Sequence, residues 1–170
     1  MRRLLVRAIW IPLFVLLFTA RPLPAQNSQA LKSKVSAIQV EMIQSEEIKL
    51  PAEFKIALYE NLIRQLGKEG LSQVYRDGDT RSGGMADLVV LHSTVSKFNE
   101  GSERARQVTT FAGATSITIH CRFTKPDGEV LLERDVNGKV RFFGGNLKAT
   151  YDFAKKAARL TSQNFTNSGS

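Results

Sequence analysis

The chain has 170 residues, of which 42% are hydrophobic, with one cysteine and a formal net charge of +8. That length sets an expectation of a single domain. One cysteine excludes an internal disulfide, so the fold must rest on an ordinary hydrophobic core. Four of the 24 basic residues (Arg2, Arg3, Arg7, Arg21) lie before residue 26 and all 16 acids lie after it. Loss of residues 1–25 would therefore leave 20 basic against 16 acidic residues, and the high formal charge does not predict a nucleic-acid partner.

Residues 1–25 have the three parts of a secretory signal. Arg2, Arg3 and Arg7 form the basic start, Ile9–Ala20 the apolar stretch, and Leu23-Pro24-Ala25 a cleavage site. The apolar stretch is about 12 residues, short of the ~20 that span a bilayer as a helix. Arg21, Pro22 and Pro24 interrupt any continuation. Export to the periplasm or beyond is the expectation, with no transmembrane helix after cleavage; retention as an anchor is the alternative. No cysteine follows the apolar stretch, so a lipid anchor of the usual kind is not expected.

Residues 26–34 are polar and read as a flexible arm. Val35–Ile43 (VSAIQVEMI) predicts a first strand, with Ile38, Val40 and Met42 on one face. Pro51 is suited to the first turn of a helix over Pro51–Glu69, where Phe54, Leu58, Leu62 and Leu66 recur at spacing four, with Ile56, Tyr59 and Ile63 beside them. Gly70 is the expected C-terminal cap. Leu71–Arg76 predicts a short strand, parallel to the first because a helix separates them. Asp77–Gly84 (DGDTRSGG) is turn chemistry.

Asp87–Phe98 predicts a long strand whose Val89, Leu91 and Val95 point to the core, with Leu88, Val90, His92, Thr94, Ser96 and Phe98 on the opposite face. The GSERAR stretch, Gly101–Arg106, is expected to lie in a hairpin connection with ragged strand ends. Thr115–Lys125 gives the cleanest alternation, with Ile117, Ile119, Cys121 and Phe123 on one face. The turn Lys125-Pro126-Asp127-Gly128 predicts an antiparallel return over Glu129–Asn137. Phe142-Phe143-Gly144-Gly145-Asn146 reads as a loop, Leu147–Asn164 as a closing helix with Leu147, Tyr151, Ala154, Ala158 and Phe165 near one stripe, and Thr166–Ser170 as a tail. The expected fold class is α+β: a mixed, mainly antiparallel sheet of four or five strands with both helices on one face, in the order strand, helix, four strands, helix.

These pieces in this order resemble an uncharacterised family of exported bacterial domains of unknown function. The likeness is carried by Ile48-Lys49-Leu50-Pro51, Arg76-Asp77-Gly78-Asp79, Ala86-Asp87-Leu88-Val89-Val90, Gly101-Ser102 with Arg106, Asp127-Gly128-Glu129-Val130-Leu131 and Phe143-Gly144-Gly145. It covers about residues 35–165. The arrangement is also similar to the amino-terminal domain of TolB and to envelope lipoproteins of the curli-secretion type, a likeness of fold that does not carry function.

No coherent catalytic set stands out. His120 and Cys121 are neighbours on a strand and point to opposite faces, so the pair cannot grip one ion. Two histidines and one cysteine fall short of a zinc spacing, although His92 and His120 could meet across neighbouring strands. Asp77-Gly78-Asp79 lacks the later ligands of a calcium loop, and no nucleophile elbow is present. No cofactor and no metal are expected. The binding candidates are Arg104 and Arg106, which on a strand would share a face and fit a carboxylate or phosphate, and Phe142 and Phe143 as a docking loop. The bland readings are a charged strand edge that discourages aggregation and an aromatic plug over the core. The functional expectation is a non-enzymatic envelope or secreted module that binds another envelope protein or a cell-wall component. The alternatives are a small periplasmic or extracellular hydrolase and a structural subunit assembling through sheet edges.

Overall fold

A computed structural model describes residues 32–70, 73–108, 113–140 and 145–168, without the side chain of Arg106. The predicted signal, the Phe142-Phe143 loop and residues 26–31 lie outside these. The elements run β1 (Ser33–Val35), β2 (Ala37–Val40), α1 (Ala52–Glu69), β3 (Gln73–Arg76), β4 (Leu88–Asn99), α2 (Glu103–Val108), β5 (Thr115–Thr124), β6 (Val130–Val140), α3 (Lys148–Asn164) and β7 (Phe165–Asn167). The sheet is five-stranded in the order β3-β2-β4-β5-β6; β2 pairs parallel to β3 and β4, and the β4-β5-β6 portion is antiparallel. The expected α+β class with a mixed sheet is the observed one.

One transverse row of side chains shows how the layers stack. Phe98, Ile117 and Gly138 are register partners across β4, β5 and β6. Phe98 meets Phe54 of α1 edge to face at 5.0 Å. A Cβ on Gly138 would fall on the Ala149 carbonyl oxygen and 2.6 Å from Phe153 Cβ in α3. Both long helices therefore cover the same face. Ile38, Val40, Val89, Leu91, Val95, Ile119 and Phe123 share that face and are buried.

The row also corrects the period-two reading of β4, which put Phe98 on the face opposite Val89, Leu91 and Val95. The register shifts between Val95 and Lys97. A bulge adds one residue to one strand and reverses the alternation beyond it, and here that brings Phe98 inward.

Helix α1 begins one residue later than expected, with Pro51 as the extended N-cap, and ends on Gly70 in the left-handed conformation at φ 64°. Its predicted row Phe54, Leu58, Leu62 and Leu66 is buried, but Ile56 is 64% exposed. In α3 the buried stripe is rotated from the predicted one. Ala149, Phe153, Ala154, Ala157 and Ala158 face inward, while Leu147 and Tyr151 are outside. The small residues win because α3 lies against backbone at Gly138, where bulk does not fit.

The predicted first strand is broken by a bend at Ser36, and β1 pairs parallel with β7 as a separate two-stranded sheet. The strand ends thus reach into stretches that read as arm and tail. Three-residue strands carry too little alternation to be seen in sequence. Val35 and Phe165 close the core there, with Phe165 tilted against Phe123 at 5.4 Å.

Candidate functional site

With one sheet face covered by helices, the other presents the alternate residues of β4, β5 and β6. Register sets them in two rows: His92, Arg122 and Glu133, then Thr94, His120 and Asp135. His120 Nδ1 lies 2.8 Å from Asp135 Oδ1 and its Nε2 3.8 Å from Glu133 Oε1. Arg122 Nε donates to the same Glu133 oxygen at 3.1 Å. Opposite charges placed directly across neighbouring strands support one another in this way. The histidines sit diagonally rather than opposite, and each has its own carboxylate.

His92 forms a chain of its own. Its Nδ1 stands 2.6 Å from Glu41 Oε2, just past β2, and its Nε2 stands 3.0 Å from Thr124 Oγ1 at the end of β5. An ionised carboxylate only accepts, so Nδ1 carries a proton toward Glu41, while Nε2 faces the hydroxyl. Sequence reasoning singled out both histidines but missed Glu41, Thr124, Glu133 and Asp135. Their roles come from strand register, and the alternating polar positions of Thr115–Lys125 were the only signal.

Cys121 is fully buried on the opposite face from His120, as two adjacent strand positions require. Burial pushes its thiol up to about 12, with Ser93, its cross-strand partner, pulling slightly the other way. A thiol so held is not a nucleophile. Asp77 and Asp79 are likewise spent on structure. Asp77 Oδ2 accepts from the Met42 amide at 3.2 Å. Asp79 caps the short 3-10 turn Thr80–Ser82 and takes two hydrogen bonds from the Arg81 guanidinium, which hold its carboxyl down at about 2. Among the described residues no cluster of three or more His, Cys, Asp or Glu side chains is placed to hold a metal ion.

The GSERAR stretch is not a strand. Glu103–Val108 forms the short helix α2, and positions two apart on a helix do not face each other. The shared-face premise for Arg104 and Arg106 therefore does not apply to this backbone; Arg104 is exposed. Gly101 adopts φ 67°, and a Cβ there would come within 2.5 Å of the Gly113 carbonyl oxygen, so this turn admits only glycine. Thr115 Oγ1 donates to Asn146 Oδ1 at 2.8 Å, and Asn146 N donates to Glu103 Oε1 at 3.0 Å. The segment carrying Arg104 is thereby tied to the residues that follow Phe142 and Phe143, whose own placement is outside the described residues.

Two surface clefts bear on these candidates. One, of about 510 Å³, lies where β4 overruns the end of β5, between Leu88-Val89 and the Lys125–Glu129 turn, with Lys34 and Asp87 at its rim. Asp87 there has a positive φ of 56°. The other, of about 360 Å³, runs between β6 and α3 and is lined by Arg134, Val136, Asn137, Lys156, Arg159 and Leu160, among others. The His92 chain contributes to the lining of neither.

No family model matches the chain, and no curated protein matches it. Solved structures do. The PelC dodecamer of Paraburkholderia phytofirmans superposes with a TM-score of 0.58 at 12% identity, over 78% of this chain and 90% of that one. A point variant of the same dodecamer gives 0.58 over 79% and 92%. A Xanthomonas campestris protein of the DUF330 family gives 0.49 at 14% identity, over 78% and 86%. At these identities the likeness is one of fold. No helix among the described residues is long and apolar enough to cross a membrane.

Proposed function

We propose that this chain is a non-enzymatic module of the bacterial envelope, exported by its amino-terminal signal, that works by assembling with copies of itself. The observation that carries the reading is the uncovered sheet face. It is an array of paired polar side chains, Arg122 against Glu133 and His120 against Asp135, that runs out to β6, the long edge strand. A surface bearing both signs in ordered rows is suited to meeting another copy, since complementary charges fix register and partner choice. Two solved structures of the same fold are dodecamers, which supports assembly as the mode of action. The basic start, apolar stretch and cleavage site of residues 1–25 support an exported location.

Sedimentation velocity on the purified chain tests this. The expected result is a concentration-dependent species larger than a monomer, shifted toward monomer by Arg122→Gln, which removes the charge without setting two glutamates opposite each other. A chain that stays monomeric at high micromolar concentration in low salt overturns the reading.

One arrangement favours the hydrolase alternative. Thr124, His92 and Glu41 follow the order of nucleophile, base and orienting acid. Against it, Thr124 is only 5% exposed, and the trio stands on the open face rather than in either cleft. Equal rates of p-nitrophenyl acetate hydrolysis by wild type and His92→Ala end that alternative.

A further inference from the structure

The groove between β6 and α3 brings three cations onto one lining. Arg76, Arg81 and Arg122 each have a carboxylate within 3.1 Å. Arg134 and Arg159 line the same groove, and among the described residues neither guanidinium has a carboxylate within ion-pair distance. Lys156 stands beside them, fixed by the Asn137 carbonyl at 2.9 Å and Asp152 at 2.7 Å. Val136 and Leu160 give the groove an apolar floor, and Asp135, its one acidic lining residue, is already taken by His120 on the other face of the sheet.

Arg134 is also out of pattern. It sits in register with Cys121, on the helix-facing side of β6, in the row that otherwise holds Leu132 and Val136. An inward charge on an edge strand is one way to discourage strand pairing. That accounts for Arg134 alone. It does not account for Arg159, a helix residue brought to the same groove.

We propose that this groove is a phosphate-binding site, in which Arg134 and Arg159 grip the oxyanion and Lys156 supplies a third positive charge. Guanidinium forks bind carboxylate and phosphate in bidentate fashion. One fork matches the two oxygens of a carboxylate side by side. Two forks and an ammonium call for the three or more oxygens of a phosphate. The groove's 360 Å³ falls in the range of small-ligand sites. The phosphate is either free in the envelope or carried on a lipid headgroup. The proposal does not depend on self-assembly.

The test is a titration of the full chain with sodium pyrophosphate at constant ionic strength, read from the arginine Nε–H resonances. A second arm measures binding to phosphatidylglycerol vesicles against phosphatidylcholine vesicles. The expected result is saturable binding in at least one arm, weakened about tenfold or more by Arg134→Gln and by Arg159→Gln and unchanged by Arg104→Gln, a loss of one charged hydrogen-bonding group. Binding in the pyrophosphate arm identifies a free phosphate as sufficient, and binding in the vesicle arm alone identifies the headgroup. No saturable binding in either arm, retention in both groove variants, or an equal loss in Arg104→Gln overturns the proposal. Should Arg134→Gln aggregate, Arg159→Gln and the resonance shifts still decide it.

Discussion

Glu103 accepts a hydrogen bond from the backbone N–H of Asn146 at 3.0 Å, joining α2 to the entry of α3 across 43 residues. The same Asn146 accepts from Thr115 Oγ1 through its side chain. One end of the sheet is thus closed by a small polar knot, and two stretches far apart in sequence become one surface.

Glu103→Ala removes an ionised acceptor from that amide. The expected cost is about 1 kcal/mol in urea unfolding, at the modest end for a hydrogen bond to a charged group, because the site is exposed. Hydrogen exchange at the Asn146 amide should accelerate while amides in β5 stay protected. Unchanged exchange at Asn146 would show that the contact does not persist in solution.

The bulge at Ser96 makes a sharper prediction. Phe54 is 2% exposed and meets Phe98 in an edge-to-face pair at 64° between ring planes. Phe54→Ala should cost about 3–5 kcal/mol, the range for emptying a buried aromatic position. A double-mutant cycle with Phe98→Ala should return a coupling of roughly 0.5–1.5 kcal/mol. Strict additivity would place Phe98 on the outer face, where the uninterrupted alternation of the strand puts it.

Phe98 illustrates what the sequence could not convey. Alternation in Thr115–Lys125 announced its own burial, because from Ile117 to Phe123 every inward position is apolar and every outward one polar or charged. The row of four in α1 did the same. A bulge leaves no such mark, since one inserted serine reads like any other polar strand residue. The polar ladder was hidden for a different reason: Glu133 and Asp135 become partners of Arg122 and His120 only through a cross-strand register, which depends on the hairpin and not on local spacing. The buried stripe of α3 was placed only in part, since Ala154, Ala158 and Phe165 are inside as expected but the contact at Gly138 brings Ala149 and Phe153 inward in place of Leu147 and Tyr151.

Gly138→Ala tests that last point. The added methyl meets the Ala149 carbonyl oxygen and Phe153, both held by α3, so relief requires the helix to move. Destabilisation of about 1–3 kcal/mol is expected from overpacking. By contrast, Gly67→Ala, at a helical glycine with open space around it, should be neutral or stabilising by up to about 1 kcal/mol. If the two substitutions behave alike in chemical denaturation, Gly138 is not where α3 is seated.

The Asp79–Arg81 pair predicts a response to acid. Asp79 caps the Thr80–Ser82 turn, and hydrogen bonds from Arg81 hold its carboxyl at about 2, below an ordinary value of 3.8. A carboxyl lowered in the folded state binds its proton more weakly there than in the unfolded chain. Its contribution is therefore complete above the unfolded value and is lost as pH falls from about 4 toward 2. The turn matters because it seats Ser82, 3% exposed, whose hydroxyl donates to Gln39 Oε1 in β2 at 3.0 Å. The melting temperature of wild type should accordingly fall through that acid window more steeply than that of Asp79→Asn, which has already lost the charge. At neutral pH the variant should be the less stable of the two, and the gap should narrow as the wild-type carboxyl takes up its proton. Parallel acid profiles for the two proteins would mean that the turn is held by its backbone alone.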